Sequence, residues 1–342
     1  ETAALTAYTK TTTGATNVTL TATDTNWSVT GAALTTALAD GVFLLGTLSV
    51  TDIANGNETT ALTAFTNALT GATSITLAAS DTNWSVTGAA LTTALGKGMF
   101  LAGTLSVTGI ASDDETAALT AFTTTLTGAA SVTLTATDGT WSVATADLAT
   151  ALAAGVRFAG ALTVTGIADG NESAALTAFT TAKTGASTVT LTSDGAWSVS
   201  AANLTTALAA GVRFAGTLTV TAIANGDETA ALTAFTATTT GATNVTLTAT
   251  DNVWSVAAAT LDTALAANVR LAGDLTVTGI STETDASTKY SKTATGASNV
   301  TLTASDGTWS AAVSALNTDL GNDIKYAGAL TVTGITDKAA AL

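Results

Sequence analysis

Ala161-Leu162-Thr163-Val164-Thr165-Gly166-Ile167 alternates apolar and hydroxyl-bearing residues, the two-residue period of a strand with one buried face. The segment returns as Thr47 to Ile53, Thr104 to Ile110, Thr217 to Ile223, Asp274 to Ile280 and Ala329 to Ile335. A second marker keeps the same rhythm, because Trp27, Trp84, Trp141, Trp197, Trp254 and Trp309 follow at steps of 57, 57, 56, 57 and 55 residues. Two independent markers therefore define one repeat, and a fixed period of this size governs the fold.

One period, 161 to 217, predicts four elements. The strand Leu162 to Ile167 leads through the turn residues Ala168 to Asn171 into a helix over Glu172 to Lys183, with Ala175, Leu176 and Phe179 on its buried face and Gly185 as its stop. A second strand spans Thr188 to Thr192, and Asp194 to Ser198 turns into a helix over Ala201 to Ala210 carrying Leu204, Ala207 and Leu208 inward. Gly211 closes that helix, and Val212 to Gly216 leads back to a strand at Leu218. Strands joined by helices pair in parallel. Twelve such halves exceed an ordinary doubly wound sheet. The expected fold is an α/β repeat solenoid with one long parallel sheet and short Ala-rich helices, residues 1–342 forming one continuous array of about six double repeats.

This architecture resembles leucine-rich-repeat solenoids. The Thr/Ala repeats with Val-Thr-Leu-Thr and Leu-Thr-Val-Thr-Gly strands resemble tracts of very large secreted bacterial surface proteins, including adhesins. They lack the Asn ladder and the Gly-Gly-x-Gly-x-Asp calcium nonapeptide of named repeat families. The resemblance implies an extracellular or cell-surface place.

Composition narrows the chemistry. The chain has no Cys and no His, which removes disulfides, thiol nucleophiles, imidazole bases and the usual zinc ligands. It has no Pro, so regular backbone should dominate. A net charge of −15 argues against nucleic acid as a partner. Ser and Thr interrupt every apolar run before the ~20 residues that cross a bilayer. Glu1 opens directly on repeat sequence, so any export signal is expected to have been removed or to lie outside it. Thr and Ser number 81 and 22, and a surface of hydroxyls in place of charges packs against copies of itself at low desolvation cost.

Several recurring residues are candidate sites. An Asp precedes every Trp, at Asp24, Asp81, Asp138, Asp194, Asp251 and Asp306, and reads either as a calcium ladder or as a turn residue accepting backbone hydrogen bonds. Glu1, Glu58, Glu115, Glu172, Glu228 and Glu283 sit where a carboxylate meets the positive end of a helix dipole. Equivalent carboxylates in a ladder form no single asymmetric catalytic site, so no enzymatic activity and no resident cofactor are expected. The Trp rings read as packing plugs or as sugar-stacking platforms. Thr163 and Thr165 with their counterparts form outward rows that resemble those of ice-binding solenoids. Asn-x-Ser/Thr sequons at Asn17, Asn26, Asn57, Asn83, Asn171, Asn203, Asn244 and Asn299 admit glycans as partners.

The last period departs from the others, with Tyr290 and Tyr326 where Phe stands elsewhere. Glu1 to Thr13 repeats the first helix, and Leu330 to Ile335 repeats the strand, with neither carrying a polar cap. An unpaired strand edge recruits another strand. The expectation is a structural protein whose copies stack head to tail into a filament, sheath or surface layer, through Glu1, Leu5, Tyr8, Leu330, Val332, Ile335 and Leu342. The rod or ligand-binding segment of an adhesin is the alternative.

Overall fold

The computed structural model describes residues 1–281 and 285–336, so Glu283 and Leu342 lie outside the described residues. The chain divides into two compact units, Glu1–Val164 with Thr181–Val189, and Thr165–Thr180 with Thr190–Leu342. Its strands, in chain order, are β1 (Val18–Thr30), β2 (Val42–Ile53), β3 (Ser74–Thr87), β4 (Met99–Ile110), β5 (Ser131–Ala144), β6 (Val156–Ile167), β7 (Thr188–Ser193), β8 (Trp197–Ser200), β9 (Val212–Ala215), β10 (Thr217–Ile223), β11 (Asn244–Ala257), β12 (Val269–Ile280), β13 (Asn299–Ala312) and β14 (Ile324–Thr333). They form two sheets, β1-β2-β3-β4-β5-β6-β7-β9 and β14-β13-β12-β11-β10-β8, alternating with helices in a solenoid-like repeat.

In the first unit β1 to β5 pair in chain order, every pair parallel. In the second, β8, β10, β11, β12, β13 and β14 do the same. Most strands are about twice as long as the sequence suggests, because each consists of two ladder segments. Ile75–Ala78 of β3 pair with Met99–Ala102 of β4, and Asn83–Thr87 then pair with Thr104–Thr108. The Val-Arg-Phe stretch expected as a lead-in is thus itself strand, as in β9, and Trp197 sits in β8, not at the mouth of a helix. The alternation Trp197-Ser198-Val199-Ser200, buried, exposed, buried, half-buried, carries that signal.

Between the two segments, residues 79–82 of β3 face Gly103 alone. Thr82 is in the left-handed region at φ 62°, and its carbonyl points at Gly103 so closely that a Cβ there would lie 2.2 Å from Thr82 O. Only glycine tolerates that approach at φ 111°. The arrangement recurs at Gly46 against Thr25 and at Gly273 against Asn252.

The expected single sheet is instead two, for a reason visible in the 56-residue step. β3, β11 and β13 carry an Ala, at Ala79, Ala249 and Ala304, paired with Ile53, Ile223 and Ile280. The corresponding run Leu191-Thr192-Ser193-Asp194 lacks that residue, and Asp194 N–H donates to Ile167 O instead, at 3.1 Å. The strand breaks into β7 and β8, and its partner into β9 and β10 at Gly216, whose Cβ would meet nothing within 4 Å.

The helix expected over Glu172 to Lys183 is also two pieces, Glu172–Ala178 and Thr181–Thr184. Phe179 leaves helical geometry at φ −117°, ψ 51° and is buried, so tertiary packing overrides local propensity. The equivalent short helices restart on a Thr cap, as where Thr66 Oγ1 accepts from Leu69 N. The inner face of the first unit is continuous packing: Ile75, Leu77, Trp84, Val86, Leu91, Leu101, Leu105 and Val107 are all 2% exposed or less. Each such side chain contributes about 1.5 to 3 kcal/mol by leaving water.

Candidate functional site

Strand edges inside the repeats are covered by the chain. Asn26–Thr30 of β1 pair only with β2, and Ser28 N–H donates to Glu1 Oε2 at 2.8 Å. Ser142 N–H likewise donates to Glu115 Oε2 at 3.0 Å, with Glu115 buried. Glu172 and Glu228 turn onto their own loops and accept from Gly170 and Gly226 N–H. The recurring Glu is therefore more than a helix-dipole residue, since it satisfies backbone donors. On another edge, the left-handed Gly128 packs against β4, where an added Cβ would lie 2.9 Å from Phe100 Cβ and 3.6 Å from Leu101 N.

Two segments whose counterparts in the inner repeats pair on both sides pair on one side only among the described residues. Val18–Thr21 of β1 pair only with β2, and Ala329–Thr333 of β14 pair only with β13. Inside the repeats the corresponding segments have neighbours on both sides, as Thr47–Val50 of β2 do with β1 and β3. Exposure follows from this. Leu330 is 39% exposed and Ile335 42%, whereas Leu275 and Ile280 are 1% and 3%. Val18, Leu20 and Val332 are half-buried, while Ile75, Leu77 and Val277 are fully buried.

Of the residues expected at a contact between copies, Leu330, Val332 and Ile335 lie along the outer edge of β14 and beyond its end. Glu1 is engaged with Ser28, and Tyr8 is 54% exposed. Leu5 departs from the expectation, since it is 1% exposed and points into the fold beneath the helix Thr2–Ala7. Leu342 lies outside the described residues.

The Asp residues take the turn role. Asp24, Asp81, Asp138, Asp251 and Asp306 each accept, through Oδ1, the backbone N–H two residues on, at 3.0 to 3.1 Å. At Asp81, Asp138 and Asp306 this backbone hydrogen bond holds the carboxyl below its ordinary value. Among the described residues no three acidic side chains gather as a metal site.

One repeat carries an asymmetric polar cluster. Asp262 accepts Tyr290 Oη–H at 2.8 Å on one carboxylate oxygen and Lys289 Nζ–H at 2.6 Å on the other. Burial, then the Asp262 bond, raises the Tyr290 phenol above its ordinary value, and the Asp262 bond raises Lys289. Near neutrality Tyr290 thus keeps its proton and Lys289 its charge, as a latch between the helices Ala258–Ala266 and Ala286–Lys289. Tyr326 Oη–H similarly donates to the buried Asp319.

The role of the arginines is not legible from residue pattern. Arg157, Arg213 and Arg270 each donate through Nη1 to one carbonyl in the last turn of the preceding helix, where a cation complements the helix dipole, and to the carbonyl of the residue just before the arginine, as Arg213 does to Leu208 O and Val212 O. The six Trp rings are at most 5% exposed, which removes them as sugar platforms. The outward rows exist: Ser85, Ser106 and Thr133 stand side by side on adjacent strands, exposed or half-buried. The sequon Asn residues are exposed except Asn299, which is half-buried. No helix among the described residues is long and apolar enough to cross a membrane. No family model, curated protein or solved structure matches the chain.

Proposed function

We propose that this is a structural protein of the extracellular space or cell surface, whose copies associate head to tail into a filament, sheath or layer. One observation carries the reading. Leu330 is 39% exposed at an unpaired parallel edge, while its counterparts Leu48, Leu105, Leu218 and Leu275 are 2% exposed or less. Among the described residues this edge carries the apolar alternation of the inner strands and is paired on one side only. Leu330, Val332, Ile335, Val18 and Leu20 are already partly buried, so covering what remains exposed would contribute roughly 0.5 to 1 kcal/mol each, together comparable with the low end of an association cost, about 4 kcal/mol. The hydroxyl-rich, Cys-free composition supports the location. Light scattering and electron microscopy of the purified chain at micromolar concentration test the association: growing linear assemblies are expected, and a stable monomer contradicts it.

A further inference from the structure

The position at which the first helix of each repeat ends is filled by Phe65, Phe122, Phe179, Phe235 and Tyr290, each at most 6% exposed, and by Tyr8 at 54%. In the second period the Phe122 ring closes over the start of the helix Gly88–Leu95. A Cβ on Gly88 would lie 3.5 Å from Phe122 Cε2 and 3.7 Å from Ile110 Cγ1. Thr92, four residues into that helix, lines the same cleft as Phe122, and Thr35 lines the one with Phe65. In the fifth period the ring is Tyr290 and the residue four positions in is Asp262, which accepts the phenol hydrogen at 2.8 Å. The series of residues at that helix position runs Thr35, Thr92, Ala149, Thr205, Asp262 and Asn317. A carboxylate or carboxamide thus replaces Thr or Ala at this position where Tyr290 stands, and again at Asn317, which is exposed. The remaining ring in the aromatic series is Tyr8.

Strand register points to the same pairing. Leu48, Leu105, Leu218 and Leu275 face Ile75, Val132, Val245 and Val300 on the next strand, with Ile53 and Ile280 facing Ala79 and Ala304. Continued by one step, this register sets Leu330 opposite Val18, Thr331 opposite Thr19, Val332 opposite Leu20 and Ile335 opposite Ala22. Ala22 is half-buried, although its counterparts Ala79 and Ala304 are buried. Inside the repeats a hydroxyl one residue further on donates to the Ile carbonyl, as Thr250 Oγ1 does to Ile223 O and Ser305 Oγ to Ile280 O. Thr23 holds that place on β1 and is exposed.

Building on the self-association proposed above, we infer that Tyr8 of one copy closes over the helix Val313–Gly321 of the next, its hydroxyl donating to Asn317 Oδ1, with β1 adding to β14 at Thr19 opposite Thr331. The partner is a second copy of this chain, and the joint reproduces the contact between Tyr290 and Asp262.

The absence of cysteine makes the test clean. Thr19→Cys with Thr331→Cys, in one chain, is expected to form disulfide-linked ladders under mild oxidation. Thr276→Cys with Thr301→Cys, paired within the chain, is the positive control, and Thr21→Cys with Thr331→Cys, two residues out of register, is expected to give no ladder. Asn317→Leu should weaken association roughly tenfold by leaving the phenol unpaired, while Asn317→Asp restores it. Assemblies that form without the Thr19 to Thr331 ladder, or that are indifferent to Asn317→Leu, overturn this joint and leave the self-association reading standing. A chain that stays monomeric overturns both.

Discussion

Trp254 donates its indole Nε1–H to Ala272 O at 2.9 Å, whereas Trp197, equally buried, makes no such bond among the described residues. Trp27, Trp84, Trp141 and Trp309 all find the carbonyl eighteen residues on. The orphan stands where one residue is missing from the repeat. Trp254→Phe should therefore cost about 1 kcal/mol more than Trp197→Phe, since only the former loses a hydrogen bond on top of packing. Denaturant unfolding of the two variants checks this, and equal losses would show that the Ala272 bond contributes nothing.

Restoring the missing residue should mend the defect. Ala inserted between Thr192 and Ser193 recreates the Thr303-Ala304-Ser305-Asp306 pattern of the last period. The insertion is expected to raise the melting temperature and to slow amide exchange around Trp197. A lowered melting temperature would mean that the break is favourable to the fold.

Gly103 and Thr82 are two sides of one contact. Gly103→Ala should destabilise by about 3 kcal/mol, because a Cβ meets the Thr82 carbonyl in addition to the backbone strain. Gly216→Ala, with open space around its Cβ, should cost only about 1 to 2 kcal/mol. Thr82→Gly should stabilise by about 1 kcal/mol by relieving a left-handed Thr, as Gly139 does naturally in the next repeat. Thermal unfolding of the three separates these effects.

Stability should fall off at both extremes of pH. The carboxyls of Asp81, Asp138 and Asp306, held low by backbone hydrogen bonds, and of Asp323, held low by Lys292, contribute stability that is present above their ordinary value of 3.8 and lost as pH falls through the lower folded values. Tyr290 and Tyr326, raised first by burial, and Lys289, raised by Asp262, contribute stability present below about pH 10 and lost above it. Tyr290→Phe should flatten the alkaline limb of the stability profile, and an unchanged limb would assign it elsewhere.

The alternation at Leu162 to Ile167 and the spacing of Trp made the parallel α/β repeat legible, because period-two burial is written directly in residue type. The doubled strands were not. Val212-Arg213-Phe214 is too short to show a period, and its strand character comes from a neighbouring ladder. The break after Phe179 was hidden because helix propensity runs through it, whereas burial of the ring decides the backbone. The 56-residue step was visible but silent about its effect, which needs the pairing of Ile with Ala to be understood. Among candidate residues, the exposure of Leu330 and Ile335 follows the repeat pattern of a strand paired on one side, whereas the burial of Leu5 was not legible, because it depends on the helix Thr2–Ala7 packing on the helix Gly31–Ala39 of the same chain. The proposed pairing of Tyr8 with Asn317 rests on the contact between Tyr290 and Asp262, which the sequence does not display.

The most direct test compares the parent chain with Leu330→Lys by sedimentation velocity over a micromolar concentration series. Leu330 is already 39% exposed, so the charge should leave the fold of the isolated chain intact, as checked by circular dichroism. Concentration-dependent growth of the parent into large species, abolished in Leu330→Lys, is the expected result. Identical monomer boundaries for both, or identical assemblies, would contradict the claim that the β14 edge joins one copy to the next.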